Sequence, residues 1–325
     1  MRESEIIQRL RRIATAPEAR GLLDDVALLD GLVITHDSIA EGVHFLPTDP
    51  PASVGWKLVA VNLSDLAGKG ASPAGAVLSL TLSGDGAWED EFLTGVEHAC
   101  ESYALPVIGG DTIALPEGAP RVLGLTAIGR AGLQVPHRSG GQAGDVLWLV
   151  GTIGDASAGL AQLRAAARAT GPLVDIYRRP IPQLGAGQVV APVAHAMMDV
   201  SDGLLLDARR MAQASGCTIA IDLDSLPLSS EFVADRGSNV DARLFAATGG
   251  DDYALLAALP SELDATTLPL PKATRITRVG ALTAGEDSLS LTSGGAPVDL
   301  PERLGFEHKS DHRRGLSASP VAGRP

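Results

Sequence analysis

Cysteine, aromatic residues and long apolar runs are all scarce in this chain. Its 325 residues include two cysteines, Cys100 and Cys217, which cannot build a disulfide framework or a zinc site of cysteines. No apolar stretch reaches the roughly 20 residues that a membrane-spanning helix needs. The N-terminal segment mixes charges at helical spacing and lacks the apolar core of a secretory signal. We therefore expect a cytoplasmic protein with no membrane partner.

Basic residues are also in deficit. Lysine and arginine number 26 against 39 aspartates and glutamates, which leaves a formal net charge of −13. An acidic surface argues against nucleic acid and anionic membrane as main partners. It does not exclude phosphorylated ligands, because bound cations can invert the local field. Hydrophobic residues make up 45 % of the chain, which is enough for one large or two ordinary globular domains.

Several common catalytic motifs are missing. The chain has no G-x-x-x-x-G-K-[ST] loop, no G-x-G-x-x-G after a strand, no G-x-S-x-G turn and no H-E-x-x-H pair. A P-loop, a dinucleotide-binding fold, a nucleophile elbow and a zinc-protease helix are therefore not supported.

Apolar strand patterns and helical patterns alternate along the chain, which predicts an α/β (α+β) fold with mixed sheets and flanking helices. A polar, glycine-rich stretch at residues 135–144 precedes a further predicted strand at 146–150 and indicates a domain boundary. We expect one domain at residues 1–137, a second at 138–308, and a flexible tail at 309–325, where arginine, glycine, serine and proline dominate.

Residues 53–73 read as a helix that begins near Ser53 and ends at Gly68 or Gly70, with one apolar stripe. Asp65 falls in its last turn, where the helix dipole makes a carboxylate unfavourable by roughly 0.3–1 kcal/mol. Two partners could offset this cost. One is Lys69 in an ordinary solvent-exposed pair four residues on, and the other is a bound metal ion.

Acids recur at the ends of strands and helices. Asp30-Gly31 predicts a hairpin in which Leu29 faces Leu32, so that Asp24 would face Asp37 and Asp25 would face His36. Five segments carry such acids, namely Asp24/Asp25, Asp37, Asp65, Asp111 and Asp199/Asp202. Each has a plainer explanation, since strand ends are commonly polar and Asp202 could simply cap a helix.

If these acids converge, their mutual repulsion requires hard cations, and carboxylate oxygens suit Mg²⁺. Mg²⁺ shares substrate phosphates, so a site of several acids indicates a nucleoside triphosphate. Gly109 and Gly110 would let backbone N–H groups approach phosphate, and Ser201 with the following helix N-terminus would add donors. His44 is either a loop histidine or a contact to phosphate or substrate.

The ordered series of motifs resembles the thiamine-monophosphate kinase family over about residues 20–308. The motifs are D-D-V-A-L-L, T-H-D-S-I-A-E-G-V-H-F, V-N-L-S-D-L-A-G-K-G-A-S-P, V-I-G-G-D-T, R-S-G-G-Q-A-G-D, M-D-V-S-D-G-L and T-G-G-D-D-Y. The wider superfamily includes aminoimidazole ribonucleotide synthetase, selenophosphate synthetase and the hydrogenase-maturation dehydratase.

This resemblance implies that ATP phosphorylates thiamine monophosphate to thiamine diphosphate, the last step in making that cofactor. It also implies a homodimer through the N-terminal domain, with ATP and several Mg²⁺ ions in the cleft between two α/β domains. The implied metal set is Asp25, Thr35, His36, Asp37, Asp65, Asp111, Asp199 and Asp202. Implied ATP contacts are Gly110, Asp111, Arg138 and Ser201, and implied substrate contacts are His44, Asp251 and Phe306. The implied catalytic residues are Asp37, Asp65, Arg138 and Asp202.

Three departures from the family pattern stand out. Residues 20–23 replace the usual Gly-Ile-Gly before the paired acids. His36 takes the position of a hydroxyl ligand, so that either its backbone carbonyl would contact the metal or that metal site would be weaker. Asp251 replaces a glutamate. The family match also favours Asp25 as a ligand, which the simple hairpin register allows only with a bulge.

The acceptor is itself a phosphate with a second pKa near 6, so it needs no strong general base. We expect direct in-line transfer, with metals and Arg138 neutralising the two anions. Two alternatives remain open at this point: another ATP-using enzyme of the superfamily, and a nucleotide- or metal-binding protein with impaired catalysis.

Overall fold

The computed structural model describes residues 3–286 and 288–307. Its α-helices are α1 (Glu3–Leu10), α2 (Pro51–Gly68), α3 (Gly86–Ser102), α4 (Asp155–Ala165), α5 (Pro172–Arg178), α6 (Leu184–Val190), α7 (Leu204–Ser215), α8 (Ser230–Arg236) and α9 (Val240–Thr248). Its strands are β1 (Ala27–Leu29), β2 (Leu32–Ala40), β3 (Ser72–Leu82), β4 (Val107–Ala114), β5 (Val122–Arg130), β6 (Val146–Val150), β7 (Ala196–Val200), β8 (Thr218–Asp222), β9 (Ala254–Leu259), β10 (Ile276–Thr283), β11 (Leu289–Ser293) and β12 (Ala296–Val298). The predicted tail lies outside the described residues.

The first sheet has the strand order β1-β2-β5-β3-β4, and only its β3–β4 pair is parallel. Leu29 faces Leu32 across the Asp30-Gly31 turn, so the predicted hairpin register is confirmed. Pairing stops at Ala27, however. Asp24 and Asp25 precede the paired segment and are free to turn toward α2, so the bulge that the sequence suggested is unnecessary.

The second sheet has the order β12-β11-β8-β10-β6-β9-β7, in which only β8 and β11 are parallel. Its central strands β6, β7 and β9 are buried at every position. One hydrophobic cluster covers each face, and this explains why these strands read as continuous apolar runs. Both sheets are mixed and carry flanking helices, so the predicted fold class is confirmed. The domain boundaries stay a prediction.

Helix α2 lies between the two sheets rather than on the surface. All of its residues except Pro51, Ala52 and Trp56 are buried, so the prediction of a single apolar stripe was wrong. One side packs on β2, β5 and α3, and the other on α6 and β7. A helix that is surrounded on all sides needs no polar face, and its few polar side chains must find buried partners.

Two glycines allow the close approach of α2 to the second half of the chain. A Cβ on Gly68 would lie 2.9 Å from the Asp199 backbone nitrogen, and a Cβ on Gly187 would lie 2.1 Å from the Ala67 carbonyl oxygen. The last turn of α2 is therefore held directly against the end of β7. This contact brings Asp65 and Asp199 into one site.

The helix begins two residues before the predicted start, and Ser53 is not its N-cap. The Ser53 hydroxyl instead donates to the Pro50 carbonyl at 2.7 Å. The predicted end at Gly68 is confirmed, and Pro73 already belongs to β3. Within the described part of the chain, no helix combines the length and the apolarity that crossing a membrane requires.

Candidate metal and nucleotide site

Three acids from three separate segments converge at the C-terminal end of α2. Asp25 comes from the segment before β1, Asp65 from the last turn of α2 and Asp199 from β7. Each offers a carboxylate oxygen, and the three oxygens lie within 4.8 Å of one another. Asp65 is 8 % exposed and Asp199 is 3 % exposed, so water screens these charges poorly.

Burial and mutual repulsion disfavour the ionised forms of these acids. Burial first, and then the charge of Asp37, raise the pKa of Asp65 well above its usual value. Burial and the charge of Asp25 raise the pKa of Asp199 in the same way. The same two causes raise the pKa of Asp37 to about 6, with Asp202 adding to the effect. A cation among them would remove the penalty for keeping Asp37, Asp65 and Asp199 ionised.

Asp25 behaves differently because two basic side chains contact it. Burial alone would raise its pKa, but the charges of Lys69 and Arg138 outweigh burial and lower it to about 2. Lys69 Nζ lies 3.1 Å from Asp25 Oδ2, and Arg138 Nη2 donates to Asp25 Oδ1 at 2.5 Å. Asp25 Oδ2 accepts no hydrogen bond of regular geometry. Lys69 and Arg138 therefore each face one oxygen of this carboxylate at the edge of the acid cluster.

Lys69 is fully buried and does not pair with Asp65, so the solvent-exposed pair is excluded. Its ammonium donates to Asp24 Oδ1 at 2.7 Å and to the Met197 carbonyl at 2.9 Å. Arg20 forms a further ion pair with Asp24. The altered loop at residues 20–23 therefore supplies a cation to the base of the site.

Hydroxyl and amide groups orient the acids. Thr35 donates its hydroxyl to Asp65, and Ser64 donates its hydroxyl to Asp199 Oδ2 at 2.6 Å. Asn62 accepts a hydrogen bond from the Asp37 backbone nitrogen at 2.8 Å. Each of these bonds restricts the position of one acid.

Asp202 lies at the start of α7, but it does not cap that helix. Arg210 Nη1 donates to Asp202 Oδ2 at 2.6 Å and to the buried Asp207 at 2.8 Å. The N-cap position belongs to Gly203, with no side-chain bond. The simple capping explanation was therefore wrong. Ser201 precedes the same helix, and its carbonyl accepts a hydrogen bond from the Asp251 backbone nitrogen at 2.8 Å.

Two predicted metal ligands do not join the acid cluster. Alternate side chains of β2 face opposite sides, so that Thr35 faces α2 and His36 faces away from it. The His36 ring bonds Thr126 Oγ1 at 2.9 Å on that far side. The His36 ring therefore lies on the side of the sheet opposite α2, and its role as a metal ligand stays a prediction.

Asp111 and Gly110 lie on the outer strand β4. Ser38 pairs with Gly124, which pairs with Ser79, which pairs with Asp111. At about 4.8 Å a strand, this register separates Asp111 from β2 by roughly 14 Å. A groove of about 780 Å³ between α3 and β4 is likewise lined by none of the clustered acids.

The three predicted substrate contacts are linked to one another beside α2. The rings of His44 and Phe306 approach edge to face with centroids 6.4 Å apart. Lys57 of α2 donates to the His44 carbonyl at 2.9 Å and to Asp251 Oδ2 at 2.8 Å. Phe306 is also tied to the segment before α7, because its backbone nitrogen donates to the Asp202 carbonyl at 2.9 Å.

Sequence reasoning missed Lys57, Ser64 and Arg210. Lys57 and Ser64 carried a usable signal, because polar residues in a nearly apolar helix must find buried partners. Arg210 gave no such signal, since an arginine one turn into a helix usually faces water.

The site combines clustered carboxylates with adjacent basic side chains. Oxygen donors that repel one another suit a hard divalent cation. The N-terminus of α7 and the guanidinium groups of Arg138 and Arg210 suit an anion. Together they can hold a polyphosphate bridged by metal ions.

The chain is similar to known proteins over most of its length. Residues 23–131 match the model of the AIR synthase related protein, N-terminal domain, and residues 142–290 match that of the C-terminal domain. Thiamine-monophosphate kinase of Escherichia coli (strain K12) is 36% identical over 303 residues, which are 89% of this chain and 91% of the relative. The enzyme of the same name from Caulobacter vibrioides is 36% identical over 322 residues, which are 94% of this chain and 90% of the relative.

This chain belongs to the thiamine-monophosphate kinase family. Its fold matches that of AaThiL complexed with AMPPCP and TMP, with a TM-score of 0.81, 31% identity, and coverage of 95% of this chain and 97% of that one. The hydrogenase maturation protein HypE in complex with ATP has a TM-score of 0.67 at 19% identity, over 90% and 92% of the two chains. HypE therefore shares the fold alone with this thiamine-monophosphate kinase family member.

Proposed function

We propose that the chain transfers the γ-phosphoryl group of ATP to thiamine monophosphate and forms thiamine diphosphate. The convergence of Asp25, Asp65 and Asp199 beside Lys69 and Arg138 supports this most directly. A relative of the same fold that is complexed with AMPPCP and TMP supports the choice of substrates. ATP is then a co-substrate, which the family name kinase also implies.

Several Mg²⁺ ions would be held by this cluster. The residues that fit are Asp25, Asp37, Asp65, Asp199 and Asp202, with the Thr35 hydroxyl beside them. Bound there, the metal ions would neutralise and align phosphate oxygens. The roles of His36 and Asp111 as ligands remain predictions, and a His36 contact would have to use its backbone carbonyl.

The remaining side chains bind and orient the two anions. Arg138 lies beside Asp25 and can turn its guanidinium toward a phosphate. A guanidinium group pairs with carboxylates and with phosphates alike. Gly110, Asp111 and Ser201 are the proposed ATP contacts. A phosphate acceptor is already largely ionised at pH 7, so Asp37, Asp65 and Asp202 need not act as strong bases. The reaction is then a direct transfer with no phosphoenzyme.

We also propose that the protein works as a homodimer through the first sheet, with domains at residues 1–137 and 138–308. Every residue of the outer strand β4 is exposed, including Val107, Ile108 and Ile113. An apolar outer strand with free backbone groups is usually covered by a partner. A second copy of this chain would cover it symmetrically.

A product assay tests the function. Purified protein with ATP, Mg²⁺ and thiamine monophosphate should form thiamine diphosphate and ADP, whereas aminoimidazole precursors or selenide should give no product. Turnover with one of those instead would assign the chain to another reaction of its superfamily. No turnover with any of them would favour a binding protein without catalysis. With γ-labelled ATP, a labelled protein band that survives denaturation would contradict direct transfer.

A further inference from the structure

Lys57 is a buried lysine in the middle of α2, only 2 % exposed. A buried ammonium costs several kcal/mol unless it is paired and hydrogen-bonded. Lys57 Nζ donates to the His44 carbonyl at 2.9 Å and to Asp251 Oδ2 at 2.8 Å. It also lies 4.1 Å from the centroid of the Tyr177 ring. These contacts use most of the three N–H donors, so little hydrogen-bonding capacity is left for a phosphate.

The partners of Lys57 come from both halves of the chain. His44 follows β2 of the first sheet, whereas Asp251 precedes β9 of the second sheet. Tyr177 belongs to α5 and is itself buried. Lys57 therefore links two proposed substrate contacts, His44 and Asp251, that come from different halves of the chain.

Asp251 depends on this link for its orientation. Its other oxygen accepts a hydrogen bond from Tyr253 Oη at 3.0 Å. The residue has a φ of 69°, a left-handed conformation that costs energy in a non-glycine residue. Its side chain is still 26% exposed, so a ligand can reach the carboxylate. Without Lys57, one oxygen would lose its charged partner, and the carboxylate would be free to turn into water.

We infer that Lys57 is a positioning residue for the acceptor: anchored on the His44 carbonyl, it holds the Asp251 carboxylate in one orientation. The inference rests on the proposed function, in which these two residues contact thiamine monophosphate. The acceptor carries a cationic thiazolium ring as well as a phosphate, and a fixed carboxylate complements that cation. Lys57 thus determines acceptor affinity and leaves the phosphoryl-transfer step unchanged.

The test compares Lys57→Met with the wild-type enzyme in steady-state kinetics. Methionine keeps the length of the side chain and removes its charge. KM for thiamine monophosphate should rise about tenfold, while kcat and KM for ATP should stay within about threefold of the wild type. Lys272→Met, which makes the same change at an exposed position, should leave all three constants unchanged. Equal losses toward both substrates, or an unchanged KM, would overturn the inference.

A double-mutant cycle separates positioning from a general structural effect. If Lys57 acts through Asp251, Lys57→Met/Asp251→Asn should have a KM no higher than that of Asp251→Asn alone. Multiplied KM effects would contradict this. The double variant removes both charges together, so it should fold even if Lys57→Met, which leaves Asp251 without its charged partner, does not fold. Failure of the double variant to fold, by circular dichroism, would also count against the inference.

The wild-type assay distinguishes the two proposals. If the wild type forms no thiamine diphosphate, the proposed function fails and the inference fails with it. If the wild type turns over normally and Lys57→Met keeps its KM, the inference alone fails.

Discussion

Among single residues, Asp65 shows most clearly how the surroundings of a side chain determine its charge state. In the sequence it is a carboxylate at the unfavourable end of a helix dipole. In the fold it lies against Asp37 and Asp199, and burial with these neighbours raises its pKa. The resulting electrostatic penalty would be relieved by a bound cation.

Asp65→Asn should abolish phosphoryl transfer and leave the fold intact. Asparagine keeps the shape and the acceptor for the Thr35 hydroxyl but removes the charge that a metal ion needs. Activity should fall about a hundredfold or more. In EDTA the variant should unfold no earlier than the wild type, because repulsion with its neighbours is reduced. In thermal scans, added Mg²⁺ should raise the Tm of the wild type and leave the Tm of the variant unchanged. Near-normal activity or equal stabilisation would count against the metal assignment.

Lys69→Met should lower the free energy of unfolding by about 3–5 kcal/mol, because it leaves buried Asp24 without one of its charged partners. A solvent-exposed pair would be worth about 1 kcal/mol or less. Urea denaturation measures the difference, with Lys272→Met as the exposed control. A loss below about 1 kcal/mol would contradict the buried network.

At the scale of elements, glycines set how closely α2 meets its neighbours. A Cβ on Gly55 would lie 2.2 Å from the Phe92 carbonyl oxygen, and a Cβ on Gly95 would lie 1.9 Å from the Ala52 carbonyl oxygen. Helices α2 and α3 therefore pack backbone to backbone at this crossing. Neither glycine is required by its own dihedral angles, so the close helix contact is the reason for both.

Gly95→Ala should destabilise the protein by about 1–3 kcal/mol, because the added methyl group forces the two helices apart. Gly86→Ala lies at the start of the same helix and meets nothing within 4 Å. It should be neutral or stabilising by up to about 1 kcal/mol. Urea midpoints of the two variants give the comparison. Equal stabilities would show that the crossing can relax.

On the scale of the whole molecule, the first sheet ends in strand β4, which no residue in the described part of the chain covers. Ile108 on β4 is 62% exposed, and Leu133 after β5 is 96% exposed. If a second copy covers β4, then Ile108→Asp should give a monomer by sedimentation velocity, because a buried charge would oppose association. Leu133→Asp should remain a dimer. A monomeric wild type, or a dimer of unchanged affinity in Ile108→Asp, would contradict the proposed interface.

Much of the site was predictable from local patterns. The Asp-Gly turn determined the hairpin register, and helical spacing assigned Asp65 to the last turn of α2. The two-residue period of β2 could also have separated His36 from Thr35, since adjacent strand residues face opposite sides. The apolar run at residues 146–150 correctly indicated strand β6.

The sequence by itself determined the fold class, the family and the set of acids from which a metal site could be built, because these depend on residue type and local spacing. Only the tertiary structure decided which acids meet. It brought Asp25, Asp65 and Asp199 together and left Asp111 roughly 14 Å from β2. It also paired Lys69 with Asp24 rather than with Asp65. It also buried Lys57 between His44 and Asp251. The physical reason is that these contacts join residues far apart in the chain. They follow from how closely α2 packs between the two sheets, and local spacing does not encode that distance.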